Sequence, residues 1–125
     1  GYKNQQKKFK TILKNYVLKK GKIAFYGAGH LAVMIINAFK LEQYIEFIVD
    51  DTPEKQKFYL PGTKLSIKPS KYLVTKNIQL CILSLNLEIQ PKVIHKNKDF
   101  ISNGGQFLSA FPNQNNSINN FDEYL

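Results

Sequence analysis

The 125-residue chain carries a formal net charge of +9 and an apolar share of 43%, which fits one domain with its own core. No apolar run reaches membrane-spanning length, no apolar leader follows the Lys-rich start, and the single Cys81 cannot pair within the chain, so a cytoplasmic protein without a membrane role is expected. All 18 basic residues are lysines spread along the sequence; without Arg for bidentate contacts no nucleic-acid role is expected, and an anionic small ligand or an acidic neighbouring domain accounts for the charge.

From Tyr2 to Lys20, the apolar residues Phe9, Ile12, Leu13, Tyr16 and Val17 recur at helical spacing, with lysines on the other face and Gly21 as the stop. Lys22 to Tyr26 reads as a strand, Gly27-Ala28-Gly29 as a turn, and His30 to Lys40 as a helix apolar on most sides, hence buried against a sheet. Tyr44 to Val49 is a second strand. The link between the strands has room only for a crossover helix, so they are expected to be parallel neighbours. A polar loop from Asp51 ends in Leu60-Pro61-Gly62, a turn signal. Lys64 to Ile67 reads as a short extended piece, and Pro69 as the first helical position of a short helix to Thr75. Ile78 to Leu83 is a third main strand. Pro91 to Asn103 is a helix stopped by Gly104, and Gln106 to Ala110 is a fourth strand.

These elements predict an α/β domain over residues 1–112: small, three-layered and Rossmann-like, with a mostly parallel sheet of about four strands and flanking helices. Residues 113–125 are Asn-rich and polar. They are expected to form a poorly ordered tail, with Phe121, Tyr124 and Leu125 as its docking residues.

The turn reads G-x-G-x-x-A through Gly27, Gly29 and Ala32. Gly27 makes the bend, Gly29 lets a phosphate or a backbone come close, and Ala32 lets the helix lie near the strand. Amides at the helix start favour an anion. Asp50, at the end of the second strand, can accept hydrogen bonds from sugar hydroxyls. The same turn also occurs for packing alone. His30 stands either against a ligand or exposed in the first helical turn, and His95, among lysines, is expected to be exposed. Two distant histidines and one buried cysteine make no metal site. No nucleophile–base pair is visible, and Ser84 lacks a glycine elbow, so no catalytic residue is expected.

Several segments together resemble one family. They are Lys22 to Gly29; Ile48-Val49-Asp50-Asp51-Thr52-Pro53-Glu54-Lys55-Gln56; Tyr59-Leu60-Pro61-Gly62-Thr63; Leu83 to Leu87; and Asn103 to Phe107. In this order they are similar to the C-terminal domain of SAM-dependent C-methyltransferases acting on nucleotide-linked deoxysugars. The resemblance implies a Rossmann-like domain that helps to form a nucleotide-sugar cleft and is not catalytic by itself. It implies that S-adenosylmethionine and the catalytic residues belong to a methyltransferase domain of the same protein that is absent from this chain, so no cofactor is expected here. An acid usually precedes the glycine turn of a SAM site, and Phe25-Tyr26 stand there. The implied substrate-binding residues are Gly27, Ala28, Gly29, His30, Asp50, Asp51 and Asn86. The family often continues its turn with a lysine that this chain lacks. His30, Lys55, Lys57 or Lys64 is expected to replace that charge.

Two other readings remain open. One is a nucleotide- or NAD-binding Rossmann module of a sugar-modifying dehydratase or acetyltransferase. The other is a degenerate structural interaction domain, which a cleft filled by side chains over Gly29 would favour.

Overall fold

The computed structural model describes residues 1–112 and 114–125, and the side chain of Tyr2 is outside the described set. Five parallel strands form one sheet: β1 (Lys22–Tyr26), β2 (Ile45–Val49), β3 (Ile67–Lys68), β4 (Ile78–Leu83) and β5 (Gln106–Ser109), in the order β3-β2-β1-β4-β5. The inner strands are buried on both faces, and their sequences accordingly run apolar without alternation. Helices α1 (Tyr2–Lys19) and α2 (His30–Ala38) cover one face, on Ile23, Phe25, Ile48, Leu80 and Ile82. Helices α3 (Tyr72–Thr75), α4 (Gln90–Lys96) and α5 (Lys98–Ser102) cover the other, on Ala24, Tyr26, Val49, Cys81 and Leu83. The expected three-layer α/β architecture is therefore present. The fifth strand is β3, two residues long, within and just after the piece read as merely extended. Its partner is β2, reached only after the long loop: Ile48 pairs with Ile67 and Val49 with Lys68.

Apart from one-residue differences at other ends, three helical segments depart from expectation. Helix α2 stops at Ala38, because Lys40 takes a left-handed φ of 55° and the Leu41 amide turns back to the Ile36 carbonyl at 3.0 Å. Pro69 lies in a turn before α3 rather than in the helix; its carbonyl accepts from the Tyr72 amide at 3.1 Å, and the Ser70 amide is drawn to Asp51 at 2.9 Å. The helix expected from Pro91 to Asn103 is broken at Asn97. The Asn97 side chain donates to the Val93 carbonyl at 2.8 Å and so competes with the helical ladder, and its ψ of 43° splits α4 from α5.

The tail differs most. Its first residue, Asn113, lies outside the described residues. The rest is packed rather than loose. Ile118 is fully buried in the α1–α2 core, and Phe121 and Tyr124 stack with Tyr16 of α1 at centroid distances of 5.9 and 5.0 Å. Asn15 donates to the Tyr124 carbonyl at 2.7 Å, and Lys8 pairs with Asp122 at 3.2 Å. Leu125 remains half exposed. Spaced apolar residues in an Asn-rich segment are enough here to hold it down. Ile118→Ala should cost about 2–5 kcal/mol in urea unfolding, the usual price of emptying a closed aliphatic site. A change below about 0.5 kcal/mol would mean that the tail is not part of the folded core.

Candidate functional site

The order of the strands reverses between β1 and β4, and α2 and α4 leave that point on opposite faces. In open α/β sheets the crevice outside the carboxyl ends of the strands at such a point is where ligands bind. Gly27, which follows β1, has φ +111°, and its amide donates to the Val49 carbonyl at 2.7 Å. A Cβ on it would lie 2.7 Å from Leu85 Cδ2 and 3.3 Å from the Ser84 backbone. The Ser84 hydroxyl donates to the Tyr26 and Gly27 carbonyls at 3.0 and 3.1 Å, closing the crevice beneath the turn. Ser84 is thus a structural clamp. Gly29 differs: its φ of −114° is ordinary, and nothing lies within 4 Å of where its Cβ would be. It caps α2 without a side-chain bond, and His30 follows it, exposed.

Asp50 and Asp51 follow β2 and, as successive residues of an extended chain, turn to opposite faces. Asp50 serves the glycine turn. Its Oδ2 accepts from the Ala28 amide at 2.9 Å, its Oδ1 from the Thr52 amide at 3.0 Å, and Lys55 Nζ stands 3.6 Å away. Burial raises the Asp50 pKa, but the Ala28 and Thr52 amides and Lys55 outweigh it, and the group titrates below its ordinary value. Asp51 serves the other face. Its Oδ2 accepts from the Tyr26 hydroxyl at 2.6 Å and from Lys96 Nζ at 2.9 Å, and its Oδ1 from the Ser70 amide. Burial again opposes ionisation, but Tyr26, Ser70 and Lys96 hold the Asp51 pKa at about 2. Burial, with the Asp51 hydrogen bond second, raises that of Tyr26, so its hydroxyl keeps its proton.

Gly27, Ala28, Gly29, His30 and Asp50 are thus gathered at one place, with Lys55 the lysine nearest the turn; its Nζ is 3.4 Å from the Ala28 carbonyl. Asp51 lies at the same sheet edge on the α4 face. Asn86 is exposed beyond β4 and offers its carbonyl to the Ile89 amide. Lys64 lies elsewhere, its amide bound to Glu42 before β2. The sequence reading passed over Tyr26 and Lys96. Parity gives Tyr26 away, since it ends β1 two residues after Ala24 on the α4 face. The four-residue spacing of Lys92 and Lys96 places them together on one helix side. Among the described residues no group of His, Cys, Asp and Glu could hold a metal, and no helix is long and apolar enough to cross a membrane.

A parallel sheet in this order, with a glycine turn and an acid at its carboxyl edge, defines a Rossmann-like domain. The chain belongs to the C-methyltransferase C-terminal domain family, whose model matches residues 2–112. No match was found among curated proteins.

The two glycines should respond differently. Gly27→Ala should destabilise the domain by about 1–3 kcal/mol, through its left-handed backbone and the Leu85 contact. Gly29→Ser should stay within about 0.5 kcal/mol, since serine caps a helix at least as well; chemical denaturation of both variants checks this. Asp51 has a depressed pKa in the folded state, so its contribution to stability is present above the ordinary 3.8 and is lost as the pH falls toward about 2. Asp51→Asn should flatten that part of the acid-unfolding profile; an unchanged slope between those pH values would contradict the assignment.

Proposed function

We propose that this domain is a nucleotide-sugar-binding accessory part of a SAM-dependent sugar C-methyltransferase, working in the cytoplasm beside a catalytic methyltransferase domain of the same protein and not catalytic by itself. Family membership supports the methyltransferase context. The observation that carries the ligand is the open space over Gly29 at the start of α2, beside Asp50 and Lys55. The first-turn amides of a helix have no intrahelical partner and favour a phosphate. Lys55 supplies the positive charge that the turn itself lacks. Asp50 holds the turn through Ala28 and retains lone pairs for a ligand hydroxyl, since each oxygen can accept more than one bond. Asn86, exposed beyond β4, carries an amide that can donate or accept.

The residues at the turn do not fit S-adenosylmethionine. An acid before the turn would have to occupy the place of Tyr26, whose side chain is instead buried on the α4 face and tied to Asp51. In this reading the cofactor and the base for methyl transfer come from the catalytic domain.

A purely structural role is the second reading. What favours it is the Leu85 side chain seated where a Gly27 Cβ would lie, although the space over Gly29, whose filling would favour it further, is open. Calorimetric titration of a nucleoside diphosphate sugar separates the two. Binding is expected, and Gly29→Asp, which keeps a helix cap but sets a carboxylate where the phosphate would lie, should weaken it at least tenfold, or about 1.4 kcal/mol. No binding, even with the catalytic methyltransferase domain present, would sink the proposal and leave the structural reading.

A further inference from the structure

On the α4 face of the same edge is a cavity of about 370 Å³. Tyr26, Asp51, Leu85, Lys92, Val93 and Lys96 line it. Asp50 lines it as well, and each aspartate is matched by a lysine, Lys55 at 3.6 Å from Asp50 and Lys96 at 2.9 Å from Asp51. Lys92 is left over: among the described residues no carboxylate lies within ion-pair distance of it. The lining holds two carboxylates and two lysines, and because Lys55 reaches Asp50 from outside it, the Lys92 ammonium stands without a counter-charge beside an apolar wall of Leu85 and Val93. Its one aromatic, Tyr26, is 4% exposed, too buried to offer a face for stacking a base. A ligand suited to it has an anionic group for the lysines and an aliphatic ring face for the wall. Lysine ammonium groups are mobile point charges and serve a phosphate well.

We infer that this cavity takes the phosphate-bearing sugar end of the ligand, with Lys92 and Lys96 on the phosphate and the CH face of the ring on Leu85 and Val93. The inference deepens the nucleotide-sugar reading and rests on it. The ligand then spans the edge of β1, with its nucleoside end toward Gly29 and its sugar end toward α4. Lys96 keeps its place through Asp51, so Asp51 is a positioning residue for the phosphate contact. Lys92 adds the one ammonium of the lining that no carboxylate holds.

The test is an amide-resolved NMR titration of the chain with a hexose 1-phosphate, inorganic phosphate and a nucleoside diphosphate, each at millimolar concentration. The hexose 1-phosphate should move amides in 51–52 and 85–96 and bind more tightly than inorganic phosphate. Lys92→Glu should weaken it at least tenfold, Lys92→Gln severalfold, and Gly29→Asp should leave it unchanged. Hexose 1-phosphate shifts confined to 27–31, no shifts, or equal affinity for inorganic phosphate would overturn the inference. The nucleoside diphosphate arm reads the other end. Its shifts at 27–31, abolished by Gly29→Asp, would uphold the nucleotide-sugar proposal even if the hexose arm failed.

Discussion

A strand buried on both faces and hydrogen-bonded to parallel neighbours on both sides has one way out of the sheet here. β1 must leave through a residue without a side chain, because Leu85 and the Ser84 backbone occupy the space where a Cβ would go. Gly27 supplies both that absence and the left-handed φ. Everything at the carboxyl edge is referred to this turn. The Gly27 amide ties it to β2, the Ser84 hydroxyl ties it to β4, and Asp50 holds the Ala28 amide from the side. The start of α2 then emerges with a fixed direction and an uncovered first turn.

The paired aspartates divide the edge between the two faces of the sheet. Asp50 steadies the glycine turn beside α2, and Asp51 steadies Tyr26 and Lys96 beside α4. Both are only partly exposed, and both remain ionised because amides, a hydroxyl and lysines satisfy them. The surface lysines that give the chain its charge thus include three, Lys55, Lys92 and Lys96, gathered at the carboxyl edge of the sheet.

Much of this was legible in the residues. Parallel strands, crossover helices and the glycine turn have local signals: unbroken apolar runs, 3.6-residue spacing and G-x-G. What stayed hidden depends on partners far along the chain. β3 is too short to announce itself and exists because β2 offers a ladder. The break at Asn97 comes from a side chain bonding to Val93, in a segment whose apolar spacing reads as one helix. In the tail, the docking of Phe121 and Tyr124 could be expected from their spacing, whereas the Asn-rich context hid the order of the segment and the burial of Ile118 in the core. At the site, the glycine turn and Asp50 were visible as a motif, whereas Tyr26 and Lys96 become neighbours of Asp51 only once three separate segments are brought together.

The clasp of the tail over α1 also sets an order of events. The hydrogen bond from Asn15 to Tyr124 joins residues 109 apart in sequence, so it closes only after residues 114–125 have been made. Until those residues leave the ribosome, Tyr16 lacks the cover of Phe121 and Tyr124, and α1 is made before the sheet yet sealed after it. A chain interrupted ahead of them would present an assembled sheet with an apolar flank, open to aggregation and to capture by chaperones.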